Sequence, residues 1–180
     1  AGNQRARPSR VVNYAAIRTF DIANGEGVRV SLFVSGCTHR CKGCFNPKQW
    51  DFAFGQPFTR ETEDQILDAL DNPYIAGLSL LGGEPLEPAN QAALRPFLER
   101  FRARFGKTKT LWIYTGCVLE TDLLAPSRWR TADTDAILRM TDVLVDGPFI
   151  EELKDISLRF RGSSNQRILK LRDGRPVADA

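Results

Sequence analysis

A short stretch near the start of the chain carries most of its cysteine. Residues 35–50 read SGCTHRCKGCFNPKQW and contain Cys37, Cys41 and Cys44, three of the four cysteines in the sequence. Their spacing, C-x3-C-x2-C, places three thiols in one loop. Thiolates are soft ligands that suit zinc, copper and iron–sulfur clusters, so this loop is a candidate metal site.

Four kinds of chemistry are open to such a loop. A disulfide fits poorly, because three thiols leave one over and the cytoplasm keeps thiols reduced. A nucleophilic cysteine would need one thiol rather than three. Zinc takes four ligands in tetrahedral geometry, and Cys41 and Cys44 would form a zinc knuckle that Cys37 and His39 could complete. Zinc sites usually pair two knuckles, however, and the sequence holds no second one.

The fourth reading is an iron–sulfur cluster, which the spacing favours over zinc. A 4Fe–4S cluster usually takes four thiolates, so three cysteines would leave one iron open. An open metal position is where a substrate can bind. The remaining cysteine, Cys117, lies in the motif YTGCV and is either a fourth ligand or a small buried residue; we favour the buried reading.

The loop must be positioned by a predicted α/β framework. The sequence predicts strands at residues 28–36, 77–81, 109–116, 141–149 and 167–171, and helices at 59–72, 88–105 and 131–140. Strands that alternate with helices indicate a mostly parallel sheet, and the units are too few for a closed eight-stranded barrel. We therefore expect a partial, open parallel β/α barrel, with its site at the C-terminal ends of the strands.

Length, composition and charge limit the classes of protein to which this chain can belong. The chain has 180 residues, 42% of them hydrophobic, which suits one globular domain at 13–172 between a mobile extension, 1–12, and a polar tail, 173–180. The net charge of +3 arises from three arginines among the first ten residues, so the rest lacks the basic face that nucleic acids require. We find no signal peptide and no membrane-spanning run, and expect a cytoplasmic protein.

Two motifs at successive strand ends resemble one enzyme superfamily. The C-x3-C-x2-C loop after the first predicted strand and GGEP (82–85) after the second are similar to those of radical S-adenosylmethionine (radical SAM) enzymes. The further segments LWIYTG, DVLVDGPF and RGSSNQR extend the similarity over residues 13–171. Together they resemble the activating proteins of anaerobic (class III) ribonucleotide reductase.

The resemblance implies a set of site residues. Cys37, Cys41 and Cys44 would ligate a 4Fe–4S cluster, and the amino and carboxylate groups of S-adenosylmethionine would chelate its open iron. We expect cofactor contacts from eight residues: Phe45, Gly82, Gly83, Glu84, Thr115, Asp146, Asn165 and Arg167. No side chain is assigned a catalytic role, because the cluster and cofactor carry the chemistry.

Several of these predicted site residues could have a different role. Asp146 could instead cap the turn at Gly147, and Asn165 and Arg167 could meet a partner protein or stand as surface groups. Many superfamily members carry an aromatic residue before the third cysteine, where this chain has Gly43. Phe45 or His39 would then cover the adenine.

The implied reaction is radical formation. One electron from a low-potential donor, such as flavodoxin or ferredoxin, would cleave S-adenosylmethionine to a 5′-deoxyadenosyl radical. That radical would take the Cα hydrogen of a glycine near the C-terminus of the large reductase subunit. The alternatives are another small radical SAM enzyme, such as a 7-carboxy-7-deazaguanine synthase or a different glycyl-radical activase, and a non-catalytic zinc or electron-transfer module.

Overall fold

One mixed sheet organises the protein. The computed structural model describes residues 12–177, in which eight strands form a single sheet in the order β3-β1-β2-β4-β5-β6-β7-β8. The strands are β1 (Asn13–Asp21), β2 (Val28–Val34), β3 (Gln56–Pro57), β4 (Ile75–Gly82), β5 (Thr110–Tyr114), β6 (Val143–Asp146), β7 (Arg167–Arg172) and β8 (Arg175–Pro176). The α-helices are α1 (Arg60–Leu70), α2 (Pro88–Phe105) and α3 (Thr134–Met140).

The centre of the sheet is parallel and its two sides are antiparallel. β2, β4, β5 and β6 pair in parallel, and α1, α2 and α3 lie in the three connections between them. This centre confirms the predicted alternation of strands and helices. The strand predicted at 167–171, here β7, instead runs antiparallel to β6, because no α-helix in their connection carries the chain back across the sheet.

The structure can be compared with the predicted domain boundaries at the two ends of the described residues. The extension at 1–12 lies outside the described residues except for Val12, which is buried in the core. In the predicted polar tail, Arg175 and Pro176 form β8 and pair with β7. The boundaries at 13 and 172 stay a prediction.

Local sequence signals explain how the helices begin and end. Thr59 caps α1, because its hydroxyl accepts a hydrogen bond from the backbone N–H of Thr62. The Thr62 side chain in turn accepts one from the backbone N–H of Thr59, and the two bonds form a capping box. α2 begins at Pro88, which suits the first helical position, and it ends before Gly106, whose φ of 56° favours glycine. None of the described helices is long and apolar enough to cross a membrane.

The two faces of the sheet differ in what covers them. All three helices pack on one face, where alternate strand residues such as Val30, Leu32 and Leu80 join the main core. The opposite face carries a smaller cluster around Trp112 and Val145. No α-helix of residues 12–177 covers this second face, which leads to the cleft that holds the predicted site.

Candidate functional site

A wide cleft lies at the C-terminal ends of the parallel strands. Its volume is about 570 Å³, within the usual range for cofactor sites. The three loop cysteines line it, together with five of the eight predicted cofactor contacts: Phe45, Gly82, Gly83, Glu84 and Thr115. The fold thus brings together residues that are distant in sequence, at the edge of the sheet where the sequence predicts a site.

Backbone hydrogen bonds close the cysteine loop on itself. The N–H of Gly36 donates to the carbonyl of Gln49 at 2.8 Å, and that of Cys37 donates to Trp50 at 3.1 Å. Inside the loop, the N–H of Cys44 donates to the Cys41 carbonyl at 3.1 Å. The loop is therefore a defined structure that presents its thiols, all free and partly exposed, to the cleft.

The thiols suit a cluster better than a single zinc ion. Tetrahedral ligation with Zn–S bonds of about 2.3 Å places the sulfurs about 3.8 Å apart. Among the described residues, the one set of three potential ligand atoms all within 4.8 Å of one another belongs to His39, Glu84 and Cys117. The three loop thiols do not form such a set. A 4Fe–4S cluster does not require one, because each thiolate binds a different iron.

Burial makes the metal-free thiols weak acids. It raises the pKa of the Cys37 thiol to about 12, and the negative charge of Glu84 adds to the effect. Burial also raises the pKa of Cys41. A metal binds the thiolate, so metal loading at neutral pH must displace the protons of these thiols.

Glu84 joins three segments beneath the cleft. Its carboxylate is 1% exposed and accepts hydrogen bonds from the backbone N–H groups of Leu86 at 2.8 Å and Gly116 at 2.7 Å. The hydroxyl of Thr115 donates to both carboxylate oxygens, at 2.9 and 2.8 Å, and His39 Nε2 lies 2.7 Å from Oε1. Glu84 and Thr115 therefore bind each other and hold the ends of β4 and β5 to the cysteine loop.

The glycine turn is needed by the protein's own packing. A Cβ on Gly82, whose φ is +114°, would lie 2.7 Å from the backbone nitrogen of Val34. On Gly83 it would lie 2.7 Å from the carbonyl oxygen of Gly36. Both distances are below any real Cβ contact, so these glycines allow the end of β4 to pack against the start of the cysteine loop.

Three predicted contacts, Asp146, Asn165 and Arg167, lie beside the cleft and are not among its lining residues. The buried Asp146 carboxylate accepts hydrogen bonds from the Leu119 N–H at 2.9 Å and from Arg167 Nε at 2.9 Å. Arg167 also pairs with Glu120 at 2.7 Å. Asn165 donates to the carbonyl of Pro148 at 2.8 Å. Asp146 does not cap the turn at Gly147, because the Gly147 N–H donates to the carbonyl of Cys117 at 2.8 Å. Its carboxylate instead secures the segment after β5.

His39 and Cys117 form a contact that sequence reasoning left unassigned. The His39 ring stacks on Trp129 with centroids 4.3 Å apart, and its Nε2 lies 3.9 Å from the Cys117 sulfur. Cys117 is fully buried among core residues, which favours the buried reading over a fourth cluster ligand. Because Glu84 already receives several donors, we interpret His39, Glu84 and Cys117 as a packed network rather than a metal site.

Two further side chains position the cysteine loop. Glu87 Oε1 accepts hydrogen bonds from both the backbone N–H and the hydroxyl of Thr38, each at 2.6 Å. The Arg128 guanidinium lies over the Trp129 ring at 3.7 Å and donates to the Thr38 hydroxyl at 2.8 Å. Sequence reasoning missed both. The only signal was a second glutamate three residues after Glu84 in GGEPLEP.

Phe45 forms the other wall of the cleft. Its ring is 61% exposed and packs 5.0 Å from the ring of Phe149, with Lys154 above it at 5.1 Å. Six residues of the segment 155–162 line the same cleft as the cysteines: Asp155, Ile156, Leu158, Phe160, Arg161 and Gly162. A planar ring exposed beside the thiols suits the predicted role of covering an adenine, whereas one face of His39 is already taken by Trp129.

Comparison with known proteins identifies relatives over nearly the whole chain. A family model described as a 4Fe-4S single cluster domain matches residues 23–169. Three relatives are named anaerobic ribonucleoside-triphosphate reductase-activating protein. That of Pasteurella multocida is 45% identical over 88% of this chain and 98% of its own. That of Escherichia coli K12 is 43% identical over 89% and 100%, and that of Enterobacteria phage T4 is 37% identical over 91% and 97%.

Proposed function

We infer the activity of this chain from the family to which it belongs, that of the anaerobic ribonucleoside-triphosphate reductase-activating proteins. It is an enzyme that activates the anaerobic reductase by forming a glycyl radical in the large subunit. The single observation that carries the proposal is the cleft, in which three free cysteine thiols and a glycine turn face the same space.

The cofactors are a 4Fe–4S cluster and S-adenosylmethionine, which the donor set and the cleft fit. When bound, they would supply one-electron reductive cleavage of a sulfonium C–S bond, with the electron from a low-potential donor such as flavodoxin or ferredoxin. The net products would be methionine, 5′-deoxyadenosine and a radical on the glycine Cα.

The residues of this chain bind and orient. We propose that Cys37, Cys41 and Cys44 each hold one iron, so that the fourth is free for the methionine amino and carboxylate groups. Gly82 and Gly83 keep the turn close to that position. Glu84 acts by fixing the turn and the loop, because its oxygens already accept hydrogen bonds from the protein.

The shape of the site supports a protein substrate. The helix-free face of the sheet would be the concave side of a partial, open β/α barrel, and the cleft opens widely from it. A glycine on another protein can reach the cofactor only through such an opening. We place the reaction in the cytoplasm, with the large reductase subunit as the partner.

A radical assay tests the proposal. Anaerobically reconstituted protein is mixed with the large subunit, S-adenosylmethionine and dithionite, and the glycyl radical is measured by electron paramagnetic resonance. We expect about one 5′-deoxyadenosine per radical formed. Turnover of a tetrahydropterin without any glycyl radical would instead identify a 7-carboxy-7-deazaguanine synthase. Retained zinc without iron would identify a non-catalytic module.

A further inference from the structure

One exposed isoleucine at the mouth of the cleft has no role in holding this fold together. Ile156 is 93% exposed, the highest value among the large apolar side chains of residues 12–177. A side chain this exposed contributes almost no core packing. It lines the same cleft as the cysteine thiols.

A tight turn holds Ile156 in place. The Leu158 N–H donates to the Asp155 carbonyl at 3.3 Å, so Ile156 occupies the second position of a four-residue turn. The Asp155 carboxylate accepts from both the N–H and the hydroxyl of Ser157, at 2.9 and 2.6 Å. Such side-chain bonds fix a turn. The apolar group is therefore presented on defined backbone rather than on a loose loop.

The base of the turn is tied to the rest of the protein. The N–H of Asp155 donates to the carbonyl of Gly162 at 3.2 Å, and Lys154 pairs with Ser163 in an isolated bridge. The N–H of Ser164 donates to Leu153 at 2.9 Å. These bonds connect the turn to the segment that enters β7, and hence to the sheet that positions the cleft.

Ile156 is one of five large apolar residues that line the cleft between residues 45 and 160 on the side of Phe45. We define the apolar wall as the lining residues Phe45, Phe149, Ile156, Leu158 and Phe160. Phe45 packs on Phe149, and the Phe160 ring lies 5.2 Å from Trp112, which belongs to the smaller cluster on the face opposite the helices.

We propose that the Ile156 turn and the apolar wall are the docking surface for the glycine-bearing segment of the reductase large subunit, a statement that rests on the proposed function. The reacting atom is a backbone Cα, so the segment must enter the cleft as extended main chain. Its apolar side chains then pack on the wall, and Ile156 is buried by the partner. The same residues of this chain that admit the segment exclude water from it.

A binding measurement with a matched control tests the surface. Ile156→Asp places a charge where the partner would bury a methyl group, and it removes no internal contact. We expect the Kd for the large subunit to rise about tenfold or more, since burying such a side chain contributes at least one factor of ten. Ile156→Leu, which keeps an apolar group, should bind like the unaltered protein.

Tyr74→Asp is the control. Tyr74 is 82% exposed but directly precedes β4, at the opposite end of the parallel strands from the cleft. We expect its Kd to stay within about twofold of the unaltered value, and its radical yield to be unchanged. In the radical assay, the half-saturating concentration of reductase should rise for Ile156→Asp and not for Tyr74→Asp.

Each remaining outcome overturns one claim or both. If the unaltered protein forms the glycyl radical and Ile156→Asp matches it in Kd, the docking surface is wrong and the proposed function stands. If Ile156→Asp converts a dimer of this chain into a monomer without changing the Kd for the reductase, a second copy covers the turn instead. If the unaltered protein forms no radical with the reductase, the proposed function fails and the docking surface fails with it.

Discussion

Replacement of Glu84 by glutamine tests how the site is held together. The carboxylate is 1% exposed, and both of its oxygens accept hydrogen bonds from the protein. Glutamine has the same shape but only one accepting oxygen, and its NH2 group can only donate. Whichever way the amide turns, it therefore directs a donor at the backbone N–H of either Leu86 or Gly116.

The size of the effect follows from these contacts. One buried N–H without an acceptor costs about 1–3 kcal/mol. Loss of the negative charge weakens the remaining hydrogen bonds, which are stronger when the acceptor is ionised. We expect Glu84→Gln to lower the free energy of unfolding by about 3 kcal/mol. In a domain of this size that corresponds to a fall in Tm of about 6–12 °C.

Glu87→Gln is the matched control. Glu87 is also buried, but the hydrogen bonds that its carboxylate accepts from the described residues, both from Thr38, go to one oxygen. An amide can keep that oxygen in place, so we expect a loss of about 1 kcal/mol or less. Thermal denaturation of the two metal-free variants under anaerobic conditions compares them. Equal Tm values for Glu84→Gln and Glu87→Gln would refute the reasoning.

Three further predictions concern the metal ligands and the neighbouring ion pairs. Cys41→Ser should lose most of the iron after anaerobic reconstitution, whereas Cys117→Ser should keep it; iron and sulfide analysis decides, and iron loss from the second variant would make Cys117 a ligand. Arg167→Ala leaves the buried Asp146 carboxylate without its cationic partner, so it should lower the free energy of unfolding by about 1–3 kcal/mol in denaturant titration while iron content stays normal. Burial raises the pKa of Cys37 from 9.0 to about 12, so the folded metal-free protein holds this proton more tightly than the unfolded chain does. The stability that this proton contributes is complete below pH 9 and is lost as the pH rises towards 12. In that window the free energy of unfolding of the unaltered protein should fall, relative to that of Cys37→Ala, by about 1.4 kcal/mol per pH unit. Parallel plots of unfolding free energy against pH for the two proteins would contradict the raised pKa.

The parts of the site that sequence patterns predicted are those that local chemistry determines. The cysteine spacing, the position of the glycine turn and the cap at Thr59 depend on residues close in the chain. The order of strands and helices followed from hydrophobic periodicity, which also predicts that polar residues at the ends of parallel strands meet. That reasoning placed the cysteine loop, Glu84 and Thr115 in one cleft.

The parts that it missed depend on contacts between distant segments. The resemblance implied cofactor contacts for Asp146 and Arg167, which stay a prediction. The sequence did not show that the Leu119 N–H and Glu120, which lie in a different connection, bind these two side chains. The antiparallel direction of β7 follows from a connection without an α-helix, and the polar motif at 161–167 did not reveal that. Ile156, Leu158 and Phe160 alternate with polar residues in the sequence, but this alternation does not show that Ile156 is the exposed one on a turn beside the cleft.

The central claim is that three cysteines hold a cluster whose fourth iron binds S-adenosylmethionine. The most direct measurement is the electron paramagnetic resonance spectrum of the anaerobically reconstituted, dithionite-reduced protein, recorded with and without S-adenosylmethionine. We predict a reduced 4Fe–4S signal whose shape changes when the cofactor is added. A cluster signal that the cofactor leaves unchanged would mean that the cluster has four protein ligands and no open iron. A protein that retains zinc and shows no iron signal would contradict both the cluster and the radical chemistry proposed for it.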